Sequence, residues 1–222
     1  MLITFSGMVG SGKTTNAKKT LRLLRELGYQ PHYLRFRFIT WRSLLRSPAP
    51  KPWQPSPQKK RTVQTASAEP HPRALDAGRQ LTLPVVFGFL VRILRFRLFI
   101  FLHHRRHLVV LNRYFYDSFA HFCAASSKEK KYLRLLLSLL PGPDLAFLLV
   151  LRPETAHRRR PAYSLDELQE LSQNVHALQA VAGNLAVIAT DDLSAVDRQV
   201  EERVKATVIS KSKRRYEKAS RS

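Results

Sequence analysis

The stretch Leu2-Ile3-Thr4-Phe5-Ser6-Gly7-Met8-Val9-Gly10-Ser11-Gly12-Lys13-Thr14-Thr15 decides the reading of this chain. Leu2 to Phe5 has the composition of a short buried strand. From about Lys13 to Leu27 the pattern turns helical: Leu21, Leu24 and Leu27 share a face, and Gly28 is placed to end the helix. Between strand and helix lies Gly-x4-Gly-Lys-Thr, the spacing of a phosphate-binding loop. In such a loop successive backbone N–H groups turn toward the phosphates, and the helix N-terminus adds donors and a favourable dipole. Lys13 is expected to reach the β- and γ-phosphates, and the Thr14 hydroxyl to ligate Mg²⁺. A chance match in a chain of this length has a probability on the order of 1%. The strand before it and the helix after it lower that further. The residues implied in triphosphate binding are Gly7, Met8, Val9, Gly10, Ser11, Gly12, Lys13, Thr14 and Thr15.

Outward from this point, strand and helix patterns alternate. A second strand reads over His32 to Phe38, with Arg35 and Arg37 on one face. From about Ser47 to Pro72 the composition shifts: seven of the thirteen prolines fall here, with a basic run at Lys59-Lys60-Arg61. This insertion reads as a mobile, solvated loop. Helical pattern resumes near Leu75 and runs to His107, with a break at Pro84. Leu108 to Leu111 reads as a buried strand, Ser118 to Leu140 as a helix, and Leu145 to Leu151 as the next strand. Pro153 and a basic turn, Arg158-Arg159-Arg160, follow it. Ser164 and Glu167 form a capping box for a helix over Leu165 to Ala182. Leu185 to Ala189 is the last strand, and Ser194 to about Ile209 the last helix. The alternation implies an α/β fold, a parallel sheet of about five strands with helices on both faces. Residues 1–210 would form one domain carrying the insertion at 47–72, and 211–222 a basic disordered tail.

The 222 residues carry 38 lysines and arginines against 16 acids, a formal charge of +22. Such a field attracts polyanions, whether nucleotides, nucleic acid or anionic membrane surfaces, without choosing among them. The insertion and tail hold part of the excess and suit non-specific polyanion binding. A single cysteine, Cys123, excludes an internal disulfide framework and reads as a small core residue. Leu83 to Leu102 is the most apolar stretch, but Arg92, Arg95 and Arg97 interrupt it, so it reads as an amphipathic helix rather than a transmembrane segment. With no secretory signal pattern at Met1, the expected location is cytoplasmic.

Neither Asn-Lys-x-Asp nor Asp-x-x-Gly, the tetrapeptides of switch GTPases, occurs, and no transporter-type Leu-Ser-Gly-Gly-Gln does. The positive signal is Asn112-Arg113-Tyr114-Phe115-Tyr116-Asp117-Ser118-Phe119-Ala120, directly after the third strand. Together with Ile3 to Thr15, this element resembles the thymidylate kinase family of P-loop kinases. Pro143-Asp144, Pro153-Glu154, the basic turn to Arg160, Tyr163 to Leu168 and Thr190-Asp191 follow in the family's order. The resemblance spans about residues 1–205, apart from the insertion.

The resemblance implies phosphoryl transfer from Mg·ATP to a nucleoside monophosphate, dTMP in the family reaction. A homodimer is also compatible with it. Lys13, Arg113, Arg158, Arg159 and Arg160 would be catalytic, the last three as a lid. Arg37, Arg92, Arg113, Tyr114 and Asp117 would bind the acceptor, and Thr14 and Asn112 the metal. Fixed guanidinium groups around a moving phosphoryl are what such chemistry requires. The chain departs from the family in Ser6 and Val9, where acids are usual, in Asn112 for the metal-organising Asp, and in His121-Phe122 for Tyr-Gln. Two classes of function therefore stand side by side: a kinase of this type, and a nucleotide-binding module with little or no transfer. A nucleic-acid-associated ATPase fits the charge alone.

Overall fold

From Leu2 to Ser6 every residue of strand β1 (Leu2–Gly7) is buried, because the strand lies mid-sheet with helices on either side. The computed structural model describes residues 1–35, 80–104, 107–122, 126–182 and 185–219. The other strands are β2 (His32–Arg35), β3 (Val109–Asn112), β4 (Leu145–Val150) and β5 (Ala186–Ala189). They form one sheet in the order β2-β3-β1-β4-β5, and every pairing is parallel. The helices are α1 (Lys13–Glu26), α2 (Leu83–His104), α3 (Phe115–Phe119), α4 (Ser127–Leu139), α5 (Pro153–Arg159), α6 (Leu165–Ala182) and α7 (Leu193–Ala219). The α/β fold with an all-parallel five-stranded sheet is the one expected.

Alternate residues of each strand feed two cores, as a two-sided sheet demands. Ile3, Phe5, Val110, Phe147 and Leu149 point to the α1–α7 side, where Val196, Val200, Val204 and Val208 recur every four residues along α7. Phe5 and Phe147 stack there at 4.9 Å. On the opposite side Leu2, Val109, Leu111 and Ala146 meet Phe89, Ile93 and Phe96 of α2, with Leu133 and Leu136 of α4. The chain leaves β1 toward β2 but leaves β3 toward β4. Connections thus diverge at the carboxyl ends of β1 and β3, the place where parallel sheets open a crevice.

Several boundaries differ from expectation for identifiable reasons. Pro84 does not break a longer helix; it lies in the first turn of α2, where a missing N–H removes no hydrogen bond. The helix expected over Ser118 to Leu140 is two helices. Asp117 starts α3 by accepting from the Tyr114 backbone, and a capping box of Ser126 and Glu129 starts α4. The basic turn at Arg158 to Arg160 is instead the end of α5, which opens on Pro153 and Glu154 and closes on cations that suit the helix dipole. α6 and its Ser164–Glu167 capping box are as read from the sequence.

α7 continues past Ile209 to Ala219, through most of the tail expected to be disordered. No glycine or proline interrupts it, its lysines and arginines are good helix formers, and Lys211 is anchored to Asp144. Arg37, Cys123, the end of the expected second strand and the insertion at 47–72 lie outside the described residues. Among the described residues no helix is long and apolar enough to cross a membrane.

Candidate functional site

The glycine loop follows β1 at the crevice and is shaped by its neighbour β4. Gly7 has φ +136°, and a Cβ there would lie 2.0 Å from the Leu149 carbonyl oxygen. No other residue fits, because backbone rather than a yielding side chain occupies the space. Met8, fully buried, then donates its N–H to Leu149 O at 3.1 Å. At the far end Gly12, left-handed at φ 82°, starts α1 with no side-chain cap and no acid in the first turn. The positive end of α1 is therefore left for a ligand from outside the helix.

Lys13 folds back into this loop. Its Nζ donates to the carbonyls of Gly7 and Met8, 2.7 Å each, and sits 3.8 Å from Asp117 Oδ1. Burial lowers the ammonium to about pKa 8; the Asp117 carboxylate opposes the shift and the Arg113 cation adds to it. Thr14 and Thr15 begin α1 exposed.

The end of β3 faces the loop across the crevice. Asn112 is buried and donates Nδ2 to Thr14 Oγ1 and to the Tyr33 hydroxyl, both at 2.9 Å. Its Oδ1 is buried with no hydrogen-bond partner. Arg113 takes φ 72°, unusual for a residue with a side chain, while its N–H holds the Phe5 carbonyl at 2.9 Å and its side chain stays exposed. Asp117 ties the two ends together: Oδ1 accepts from Gly7 N–H at 3.3 Å and Oδ2 from Tyr114 N–H at 3.1 Å.

The third contribution comes from α5. Arg159 donates to Gly10 O at 3.2 Å and to Thr190 O at 3.4 Å, bridging the glycine loop and the end of β5. Arg159 and Arg160 both lie against Gly10, with Arg159 Cβ and Arg160 Cγ 3.5 and 3.8 Å from where a Cβ would stand. Arg158 points elsewhere, to Thr155 Oγ1 at 3.4 Å. The structure thus brings Gly7 to Thr15, Asn112, Arg113, Asp117, Arg159 and Arg160 to one crevice.

Other residues singled out by the sequence lie differently. Tyr114 is fully buried, donates its hydroxyl to Pro141 O at 2.6 Å and packs against Phe96, Phe115 and Tyr116. Burial raises its phenol far above the ordinary range, and the side chain is packed in the core rather than exposed in the crevice. Arg92 stacks over Phe89, whose ring contacts Phe119 at the end of α3. Val9 packs in an apolar cluster with Met8, Ala120 and Leu151.

Two participants escape a linear reading, and a third, Asp117, expected at the acceptor, has a further part. Tyr33 lies one alternation before Arg35 on the face that meets Asn112. Thr190, fully buried, bonds Val150 O and presents its carbonyl to Arg159. Asp117 is a clamp on the loop as well as a neighbour of Lys13.

Among the described residues no three His, Cys, Asp or Glu side chains gather to hold a metal. A Mg²⁺ ion that keeps water and phosphate oxygens needs only one or two protein groups. Two groups of that kind are the Thr14 hydroxyl and Asn112, whose Nδ2 meets that hydroxyl and whose Oδ1 has no hydrogen-bond partner. The arrangement as a whole can bind a polyanion: backbone donors, one ammonium and several guanidinium groups converge, with Asp117 the carboxylate among them. No protein-family model matches the chain, and no curated protein matches it.

Proposed function

We propose that this protein binds ATP at the glycine loop and transfers its terminal phosphoryl group to a nucleoside monophosphate or a similar phosphate acceptor. The observation that carries this reading is the arrival of Arg159 on Gly10, from 149 residues away, over a loop that already holds Lys13 and the open end of α1. Triphosphate binding alone needs the loop and lysine. Moving a phosphoryl group between two anions calls for further fixed cations around the transfer point, which Arg113, Arg159 and Arg160 supply from two other elements.

In this scheme the N–H groups of Gly7 to Thr14 cradle the donor phosphates, and Lys13 turns from the Gly7 and Met8 carbonyls to them. Phosphate charge would raise its lowered pKa, so the ammonium is held where the ligand needs it. Thr14 and Asn112 are the groups that would hold Mg²⁺, whose chemistry there is neutralising phosphate charge. Arg113, exposed at the corner after β3, would grip the acceptor phosphate. Arg159 would exchange its carbonyl partners for the transferred oxygens, with Arg160 beside it.

One observation favours a second reading, a nucleotide-binding module with little transfer. Asn112 places an amide donor on Thr14, where a carboxylate would add negative charge for the metal. A panel of nucleoside monophosphates with Mg·ATP separates the two. Transfer to at least one acceptor, lost in Lys13→Ala by about a hundredfold or more, is expected. Tight ATP binding by calorimetry with no transfer to any acceptor would establish the module instead.

A further inference from the structure

We propose that the layer formed by α2 and α4 docks on an anionic lipid bilayer. This inference rests on the surface of that layer and is independent of the nucleotide reading.

The inner face of α2 is accounted for by Val86, Phe89, Ile93 and Phe96, which are buried in the core. The outer face is apolar as well. Leu83, Phe87, Leu94, Leu98 and Leu102 recur at helical spacing and are 38 to 68% exposed. An outward stripe of leucine and phenylalanine along a helix about 33 Å long exceeds what a water-facing surface needs. α4 lies alongside in the same direction: Leu81 N–H reaches Glu129 Oε1 at one end, and Arg97 donates to Leu139 O at 2.9 Å toward the other. Its outer side adds the exposed apolar residues Leu135 and Leu139 with the exposed cations Lys128, Lys131 and Arg134.

Charge selects the occupant. The exposed cations of this layer are Arg97 of α2 and Lys128, Lys130, Lys131 and Arg134 of α4; the one acid of the two helices, Glu129, is engaged by Ser126 and Leu81. A second copy seated on this face would set those cations against their own images, with no free carboxylate on either helix to pair them. A bilayer containing acidic lipids meets both properties at once: acyl chains accept the leucine and phenylalanine stripe, and headgroups accept the flanking lysines and arginines.

The test is co-flotation of the full-length protein with vesicles of phosphatidylcholine alone or with about 30% phosphatidylglycerol. Binding is expected with the acidic vesicles, at least about tenfold weaker with the neutral ones, and weakened by salt. The double substitution Phe87→Glu with Leu94→Glu should reduce binding by about tenfold or more. Both side chains are mostly exposed, so circular dichroism and the melting temperature should not change. Lys128→Glu with Lys131→Glu should reduce the preference for acidic lipid.

No flotation with either vesicle, or flotation indifferent to Phe87→Glu/Leu94→Glu, would overturn the proposal. So would a stable dimer in solution that this double variant converts to monomer without vesicle binding, because a second copy would then own the face.

Discussion

The glycine loop and the corner after β3 face one another across a single crevice, yet they are made in opposite ways. Gly7 to Thr15 is a continuous run whose geometry is set by backbone: Gly7 against Leu149, Gly12 at the start of α1, the lysine folded onto two carbonyls of its own loop. The corner from Asn112 to Asp117 is made of side chains with distant partners, Thr14, Tyr33 and the Gly7 N–H. The loop is therefore intolerant of any change in backbone freedom. The corner is tuned by individual functional groups, and a single atom such as Asn112 Oδ1 can alter its chemistry while the fold persists.

The largest expected effect lies on the loop. Gly7→Ala would force a methyl group into the Leu149 carbonyl at a φ that L-residues avoid. It should cost about 3 kcal/mol or more in denaturant unfolding, and the proposed nucleotide binding should be lost with it as β1 and β4 part. A loss below about 1 kcal/mol would mean that the loop can move off β4, and the contrast between the two sides would weaken.

Lys13 gives the next effect, through pH. Its folded value is about 8 against an ordinary 10.5. Between those values the unfolded chain retains a proton that the folded chain has released, so this group makes stability rise with pH across that window. The whole span is worth on the order of 3 kcal/mol. Lys13→Met should remove this slope and stabilise the ligand-free protein at neutral pH, while the proposed ATP binding by the unmodified protein should weaken as pH climbs past about 8. Identical pH–stability profiles for both proteins would refute the buried-ammonium account.

The smallest effect tests the corner. Tyr114→Phe removes the hydroxyl bonded to Pro141 and should cost about 1 kcal/mol in stability. The Michaelis constant for any acceptor should not change. A rise in that constant without a stability loss would return Tyr114 to the acceptor site.

What the sequence revealed follows the same division. Strand alternation, the run from Gly7 to Thr15 and the Ser164–Glu167 cap are local patterns, and the α/β fold follows from them. The union of Asn112 with Thr14, and of Arg159 with Gly10, depends on strand order, which periodicity does not encode. The resemblance places Tyr114 with the acceptor, but a string of residues does not show which of them the fold buries. In the fold, neighbouring residues at the strand end diverge: Asn112 turns to the loop, Arg113 to solvent, Tyr114 into the core. The split between α3 and α4 was readable in principle, since Ser126 and Glu129 have the spacing of the cap recognised at Ser164 and Glu167.

The left-handed backbone of Arg113 has a consequence for how this chain would change under selection. At φ 72° glycine or asparagine would sit more easily than arginine. A library selected only for folding should drift toward those residues at position 113. A library selected for the chemistry proposed here should hold arginine against that drift. The balance between the two outcomes would measure how far this corner is kept for what it binds rather than for how it folds.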